Sequence, residues 1–229
     1  VGGDGGGVGG LAPNENGTVI SGLGLWRIGK IPAVLNYSNG VPLMLTCAKL
    51  AGLRQLITSR VFLAKAKLDV APMEAAGIEF IYLEDIRKQI SRLAKLWVFL
   101  KHRLMLGQVR FNIPADRTAV ILFTSGSEGV PKGVELSHRN ILANLRQLFA
   151  AVDVTDTDSL FNCLPMFHSF GLVVGTLLPL CRGIRTTVFP SPLQYRLVPT
   201  APYNSNATTF LSPHTSLHGH PPSRTPTPR

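Results

Sequence analysis

The sequence predicts an α/β fold with a mainly parallel sheet and flanking helices. Segments with strand-like patterns alternate at short spacing with segments of helical periodicity, an order typical of parallel sheets. The chain has 229 residues, of which 45% are apolar and 16% charged, so it can form a sizeable core. One segment, residues 119–123 (AVILF), is strongly apolar and leads directly into a loop rich in glycine and hydroxyl groups.

Each element follows from its own pattern. Apolar residues recur every three or four positions in the predicted helices, and short apolar runs between turn residues predict the strands. The predicted helices are residues 19–31, 41–53, 61–68, 138–150 and 170–180. The predicted strands are residues 33–37, 55–59, 79–83, 119–123, 160–164 and 185–189. Ser137 is suited to cap the helix that begins at His138.

The two ends of the chain are expected to lie outside the core. Residues 1–17 are rich in glycine and predict a flexible segment of low complexity. Gly5, Gly7 and Gly10 match the G-x-G-x-x-G pattern, but no strand pattern precedes them and no convincing helix follows, so we predict no dinucleotide site. Residues 211–229 predict a disordered or out-of-frame tail, which leaves residues 18–210 as the folded part.

The formal charge of +10 is compatible with nucleic acid, an anionic membrane or a polyanionic small ligand as partner. Basic residues are scattered along the chain and are dense only over residues 87–103. Because this segment lacks the signature of a nucleic-acid-binding fold, we expect no nucleic-acid binding.

Residues 86–106 form a long, basic, amphipathic segment that contains Trp97 and Phe99. Such a segment can lie as a helix on an anionic membrane surface. The alternative, which we favour here, is a surface helix that packs its apolar side on its own domain. The longest apolar run, residues 170–181, is too short to cross a bilayer, which takes about 20 residues.

The three cysteines, Cys47, Cys163 and Cys181, lack metal-ligand spacing, and each lies in an apolar run. This pattern predicts buried thiols in a reducing compartment and no metal site.

The chemically informative segment is the loop TSGSEGVPKG, residues 124–133. Its glycines allow the backbone to turn tightly and to point amide N–H groups at an anion. The hydroxyl groups add neutral donors, and Lys132 adds a mobile positive charge. These groups suit the β- and γ-phosphates of ATP, although Pro131 and Gly133 depart from the Walker pattern. A surface turn without function is the weaker alternative.

This loop and a second segment resemble one known family. The stretch ILFTSGSEGVPKGVELSHRN resembles the phosphate-loop signature of the adenylate-forming (AMP-binding) superfamily, and LPMFHSFG, residues 164–171, resembles its P-x-F-H-x-x-G segment. The spacing between the two segments is also similar. Within that superfamily, GLWRIGKIPAVLNYSNG and AGIEFIYLEDIR resemble the acyl-[acyl-carrier-protein] synthetase part of bifunctional enzymes that reacylate 2-acylglycerophosphoethanolamine.

The resemblance implies a role for each matching residue. Residues that would bind the ATP phosphates are Thr124, Ser125, Gly126, Ser127, Gly129 and Lys132. His168 would lie near the substrate carboxylate, although it could instead cap the following helix, and the pocket-wall candidates are Phe167, Phe170 and Gly171. The implied reaction joins a fatty acid to ATP as an acyl-adenylate, with Mg²⁺ on the phosphates, before transfer to acyl carrier protein or coenzyme A.

The resemblance also implies a partial domain. Members of the superfamily are more than twice this length, and their adenine, ribose and catalytic-lysine segments have no counterpart in this sequence. We therefore expect part of the large N-terminal domain of a cytoplasmic ligase, inactive alone. As part of a larger protein, it could contact the cytoplasmic face of the inner membrane.

Overall fold

The computed structural model describes residues 6–104, 112–126, 130–155, 157–190 and 207–212. The chain forms two compact units. The first comprises Val1–Ala12 and Gly17–Ile141, and the second comprises Pro13–Asn16 and Leu142–Arg229. Among the helices of the described ranges, none has the length and apolar content that spanning a bilayer requires.

The first unit is built on one sheet. Its strands are β1 (Gly7–Gly10), β2 (Ile31–Val34), β3 (Gln55–Thr58), β4 (Glu79–Tyr82), β5 (Thr118–Ser125) and β6 (Pro131–Ser137). As far as the chain is described, they lie in the order β4-β3-β1-β2-β5-β6. The first five strands pair in parallel, and β6 pairs antiparallel with β5. The predicted α/β class with a mainly parallel sheet is confirmed.

Helices lie between the strands along the chain. They are α1 (Asn16–Arg27), α2 (Val41–Leu50), α3 (Arg60–Ala66), α4 (Ala71–Ala75), α5 (Leu83–Gln89), α6 (Arg92–Arg103) and α7 (His138–Ala151). The helices α2, α3 and α4 bury Met44, Phe62 and Met73 against sheet residues such as Leu56. This burial is what holds the helices on the sheet.

The glycine-rich start of the chain contains a central strand, which corrects the prediction that residues 1–17 are flexible. β1 lies between β2 and β3, and Val8 and Leu11 are buried. Strand patterns are recognised by side chains, and a strand composed mostly of glycine carries almost none. Gly7 and Gly10 lie within the strand rather than in a loop after it, so they do not form a dinucleotide-binding turn. Residues 1–5 lie outside the described residues.

The basic amphipathic segment consists of two helices rather than one. α6 begins after Ser91, whose hydroxyl accepts a hydrogen bond from the Ala94 N–H at 3.1 Å. The expectation that its apolar side packs on its own domain is wrong for the described structure, because every residue from 91 to 100 is exposed.

Other elements lie close to their predicted positions. β2 begins two residues earlier than predicted, at Ile31. β4 lies at the end of the described strand order, and its side chains are partly buried or exposed. An end strand has a neighbour on one side only, which explains this exposure.

The second unit contains a smaller sheet. Its strands are β7 (Ser159–Asn162), β8 (Arg185–Val188) and β9 (Thr209–Leu211), paired in parallel in the order β8-β7-β9 within the described residues. Its helical elements after α7 are α8 (Ser169–Leu172) and α9 (Leu178–Arg182). A π-helical turn, Val173–Leu177, joins them and interrupts the single helix predicted over residues 170–180.

The end of the second unit was only partly predicted. β9 has three residues and follows a stretch without regular pattern, so it gave no recognisable signal. Its Leu211 carbonyl accepts a hydrogen bond from the Cys163 N–H at 2.8 Å. Residues 213–229, most of the predicted tail, lie outside the described residues.

Two of the three cysteines are buried as predicted. Cys47 and Cys163 are buried and free, whereas Cys181 is exposed, which corrects the prediction for that residue. Burial raises the pKa of the Cys163 thiol to about 12, and it also raises the pKa of Cys47. Neither buried thiol is suited to nucleophilic chemistry at neutral pH.

We predict that Gly9→Ala destabilises the protein by about 1–3 kcal/mol, the usual cost of overpacking a core. A Cβ at this position would collide with the Leu56 side chain, which is fully buried. Gly10→Ala is the matched control, since a Cβ there meets no atom within 4 Å. Denaturant unfolding measures both variants, and equal stability of the two would contradict the predicted close packing.

Candidate functional site

The predicted phosphate loop lies at the tip of the β5–β6 hairpin. Thr124 on β5 faces Lys132 on β6 in the antiparallel register, and Ser125 faces Pro131. Beyond them, the Gly126 N–H donates a hydrogen bond to the Val130 carbonyl at 3.1 Å. The hairpin therefore fixes both ends of the loop, although Ser127 and Gly129 themselves lie outside the described residues.

Glycine is required at residue 126 by the closeness of the returning strand. A Cβ added there would collide with the Val130 carbonyl oxygen. The same added atom would lie 3.4 Å from Cε of Lys132, so the lysine side chain lies beside the Gly126 backbone. Thr124 and Lys132 are both exposed. The structure thus brings a hydroxyl, a backbone turn and an ammonium-bearing side chain together at one strand end.

Packing below the loop holds β5 in place. The Trp26 indole N–H donates a hydrogen bond to the Ala119 carbonyl at 2.6 Å, and its ring meets the His138 ring edge-on at 5.8 Å. Burial and the nearby Arg117 charge lower the pKa of His138. Arg139 forms an ion pair with Asp116 at 2.5 Å. His138 and Arg139 thus make the contacts expected of a helix start.

Ser137 is the predicted cap of α7. Its hydroxyl accepts a hydrogen bond from the Asn140 N–H at 3.2 Å, and the Asn140 side chain accepts one from the Ser137 N–H at 2.9 Å. These two reciprocal bonds satisfy backbone donors at the start of the helix. The cap anchors the far end of β6 to α7.

The second predicted segment, residues 164–171, lies in the second unit and leads into α8. His168 occupies the N-cap position of α8, but its side chain makes no capping hydrogen bond. Its ring meets Phe167 edge-on, with 4.7 Å between centroids. His168 is exposed, and partial desolvation of its ring lowers its pKa from the ordinary value, which favours the neutral imidazole. His168 therefore occupies the N-cap position of α8, but its imidazole does not cap the helix.

The pocket-wall candidates differ in exposure. Phe167 is buried, whereas Phe170 is 57% exposed. Gly171 is buried against the Pro165 backbone, and a Cβ there would collide with the Pro165 carbonyl. The structure gives Gly171 a packing role, because close approach of α8 to the preceding loop needs a residue without a side chain.

Sequence reasoning missed a buried amide that holds this loop. Asn14 is only 3% exposed and belongs to the segment predicted to be flexible. Its Nδ2 donates to the Leu164 carbonyl at 2.7 Å, and its Oδ1 accepts from the Met166 N–H at 2.9 Å. Asparagine among turn-forming residues predicts a surface turn, so no local signal marks a contact 150 residues away.

A second buried amide supports the π-helical turn. Asn162 donates to the Gly175 carbonyl at 2.9 Å and accepts from the Leu164 N–H at 2.9 Å. A Cβ at Gly175 would lie 2.6 Å from Cγ of Asn162, so glycine is needed for this approach. π-Helical turns lose regular backbone bonds and often occur at functional sites. Here a side chain at the end of β7 supplies one of the missing bonds.

The predicted residues thus form two groups, each within one unit. Thr124, Gly126 and Lys132 are together in the first unit, and residues 167–171 are together in the second. In the described parts of the chain, no group of three or more His, Cys, Asp or Glu residues could hold a metal ion.

We predict that Asn14→Ala destabilises the protein by about 2 kcal/mol or more, because it leaves a buried carbonyl and a buried N–H without a partner. The neighbouring Glu15→Ala is the control, since Glu15 is exposed. Denaturant unfolding followed by near-UV circular dichroism measures the difference. Equal stability of the two variants would show that the amide does not hold the loop.

Known proteins with similar sequences include a CoA ligase-like protein and an acyl-carrier-protein ligase. The chain is 27% identical over 186 residues to a 4-coumarate–CoA ligase-like protein of Arabidopsis thaliana, covering 79% of this chain and 32% of that protein. It is 35% identical over 88 residues to the medium-chain-fatty-acid–[acyl-carrier-protein] ligase JamA of Moorena producens, covering 38% of this chain and 15% of that protein. The chain spans about a third or less of these relatives.

The fold matches a solved structure of the same class. o-Succinylbenzoate coenzyme A synthetase of Bacillus subtilis, in complex with ATP and magnesium ion, superposes with a TM-score of 0.73 at 18% identity. The match covers 94% of this chain and 41% of that chain. The model of the AMP-binding enzyme family matches residues 3–213, which includes the glycine-rich strand and both predicted site segments. Because this family model matches nearly the whole length of the chain, the chain belongs to the AMP-binding enzyme family.

Proposed function

We propose that this chain provides the phosphate-binding part of a fatty-acyl adenylating ligase, which activates a fatty acid with ATP before transfer to a thiol. The observation that carries the proposal is the β5–β6 hairpin, which presents Thr124, the Gly126 turn and the exposed Lys132 at one strand end. The family match and the ligase relatives support the reaction class.

The hairpin suits a polyphosphate in both charge and shape. Lys132 would neutralise charge on the β- and γ-phosphates, and the Thr124 hydroxyl would donate a hydrogen bond to a phosphate oxygen. Gly126 leaves room for an anion to approach the backbone, because it has no side chain. We propose the same phosphate-binding role for Ser125, Ser127 and Gly129.

Mg²⁺ is the expected companion of ATP, and it would neutralise phosphate charge when bound. We propose that the ion enters with the nucleotide, bound to its phosphate groups. The chain's own contribution is to orient the triphosphate so that its α-phosphorus is open to the attacking carboxylate.

His168 is proposed to orient the fatty-acid carboxylate. Desolvation lowers the pKa of its imidazole and so favours the neutral ring, which carries one N–H that can donate to a carboxylate oxygen. The exposed ring of Phe170 is a candidate for contact with the acyl chain, and the buried Phe167 supports the imidazole edge-on. Coenzyme A or acyl carrier protein is the proposed thiol acceptor, as the names of the ligase relatives suggest.

We predict that Lys132→Ala weakens ATP binding about 10-fold or more, since hydrogen bonds to charged groups contribute about 1.5–3 kcal/mol. Isothermal titration with ATP measures the change. Lys65→Ala is the matched control, an exposed lysine on α3 of the same unit. AMP, which lacks the β- and γ-phosphates, should bind the wild-type chain and Lys132→Ala equally. ATP binding that is unaffected by Lys132→Ala would contradict the proposal.

We also predict that this chain alone does not sustain ATP–pyrophosphate exchange with a long-chain fatty acid. The reason is that the aligned part of the chain covers only 32% of the Arabidopsis thaliana relative. Incorporation of labelled pyrophosphate into ATP is the measurement, with ATP binding by the same preparation as the control for folding. Robust exchange would show that the described units suffice for adenylation.

A further inference from the structure

Helix α6 presents an apolar stripe that the described structure leaves uncovered. The stripe consists of Leu93, Leu96, Trp97 and Leu100 on α6 and of Leu104 directly after it, at spacings of three, four, seven and eleven residues from the first. These spacings place all five side chains on one side of a helix. Their exposed fractions are 78%, 54%, 64%, 42% and 63% in that order, so none of them is in the core.

Basic side chains border this stripe, and no acidic residue interrupts it. Residues 87–103 contain Arg87, Lys88, Arg92, Lys95, Lys101 and Arg103 and no Asp or Glu. On a helix, Arg92 and Arg103 lie along one edge of the stripe and Lys101 lies along the other. This single segment carries more than half of the net charge of +10.

A helix of this length needs a partner for its apolar side. α6 has 12 residues, and isolated helices of about 12–15 residues are marginal in water. The Ser91 cap stabilises its first turn by about 1 kcal/mol, which alone does not hold a helix. Most helical stability in proteins comes from burying an amphipathic face, and α6 buries none of its stripe within the described chain.

We propose that α6 is an interfacial helix that lies on the surface of an anionic phospholipid membrane. The leucines and Trp97 would enter the boundary between headgroups and acyl chains, while the flanking lysines and arginines would contact lipid phosphates. Tryptophan is favoured at this depth because its ring is apolar with one polar N–H. The proposal is independent of the proposed ligase function, because α6 contains none of the phosphate-loop residues.

The combination of charge and apolar surface favours a membrane over other partners. Nucleic acid would pair with the basic residues but would leave the exposed leucines in water. A second copy of this chain would cover the leucines but would bring two sets of six basic residues together without acidic partners in this segment. An anionic bilayer accepts both features at once.

Co-sedimentation with vesicles of phosphatidylcholine, with and without phosphatidylglycerol, tests the proposal on the whole chain. We expect binding only to the anionic vesicles at low salt, weakened by high salt. The variant Arg92→Glu, Lys101→Glu, Arg103→Glu should bind about 100-fold or more weakly, because each basic residue near an anionic surface contributes about a fivefold effect. Lys49→Glu, Arg54→Glu, Lys65→Glu removes equal charge from exposed positions of the same unit and should retain most binding.

Trp97 provides a direct measure of insertion. Its fluorescence should shift to shorter wavelength on anionic vesicles, and the shift should disappear in Trp97→Phe while that variant still co-sediments. The other tryptophan, Trp26, is hydrogen-bonded below β5 and should not respond. ATP binding should be unchanged in the charge-reversed variant, which would show that its fold is intact.

Two outcomes would overturn the proposal. The first is equal loss of vesicle binding in the charge-reversed variant and its matched control. This result would show that vesicle binding depends on the net charge of the chain and not on α6. The second is self-association that disappears in Leu93→Ser, Leu96→Ser while the wild-type chain shows no vesicle binding. That result would identify a second copy of the chain as what covers the stripe.

Discussion

A strand nearly devoid of side chains sets the geometry of the first unit. β1 lies between β2 and β3, and glycine at residue 9 leaves room for the Leu53 and Leu56 side chains to fill the layer beside it. The strand is held on both sides by parallel pairing, and its continuation at Leu11 bonds to Ile57 and to the buried Thr58 hydroxyl. Three residues later the same segment supplies Asn14. A stretch of low complexity therefore contributes both a sheet centre and a loop anchor.

Sequence patterns predicted the fold where side chains carry the signal. The helices α2, α3 and α7 and the strands β3 and β5 lie within a few residues of the predicted positions, because their apolar periodicity reflects burial directly. β1 was not predicted, because a strand made mostly of glycine carries no side-chain pattern. The π-helical turn is set by the long-range Asn162 contact with Gly175, which local periodicity does not report.

The candidate site was predictable in part. The loop composition and its position after an apolar strand indicated phosphate binding, and the structure places Thr124, Gly126 and Lys132 at one end of a hairpin. The antiparallel turn of β6 was not predicted, since the loop pattern specifies glycines and charges but not the direction of the following chain. Asn14 was missed because a single amide carries no periodic signal.

The position of β6 in the sheet gives Lys132 a second physical effect. In the described sheet β6 ends the strand order, so no described strand pairs with its outer backbone groups. A lysine on such an edge disfavours pairing with a strand of another molecule, because neighbouring molecules would bring like charges together. One exposed side chain is therefore placed where it suits both a nucleotide and the edge of the sheet.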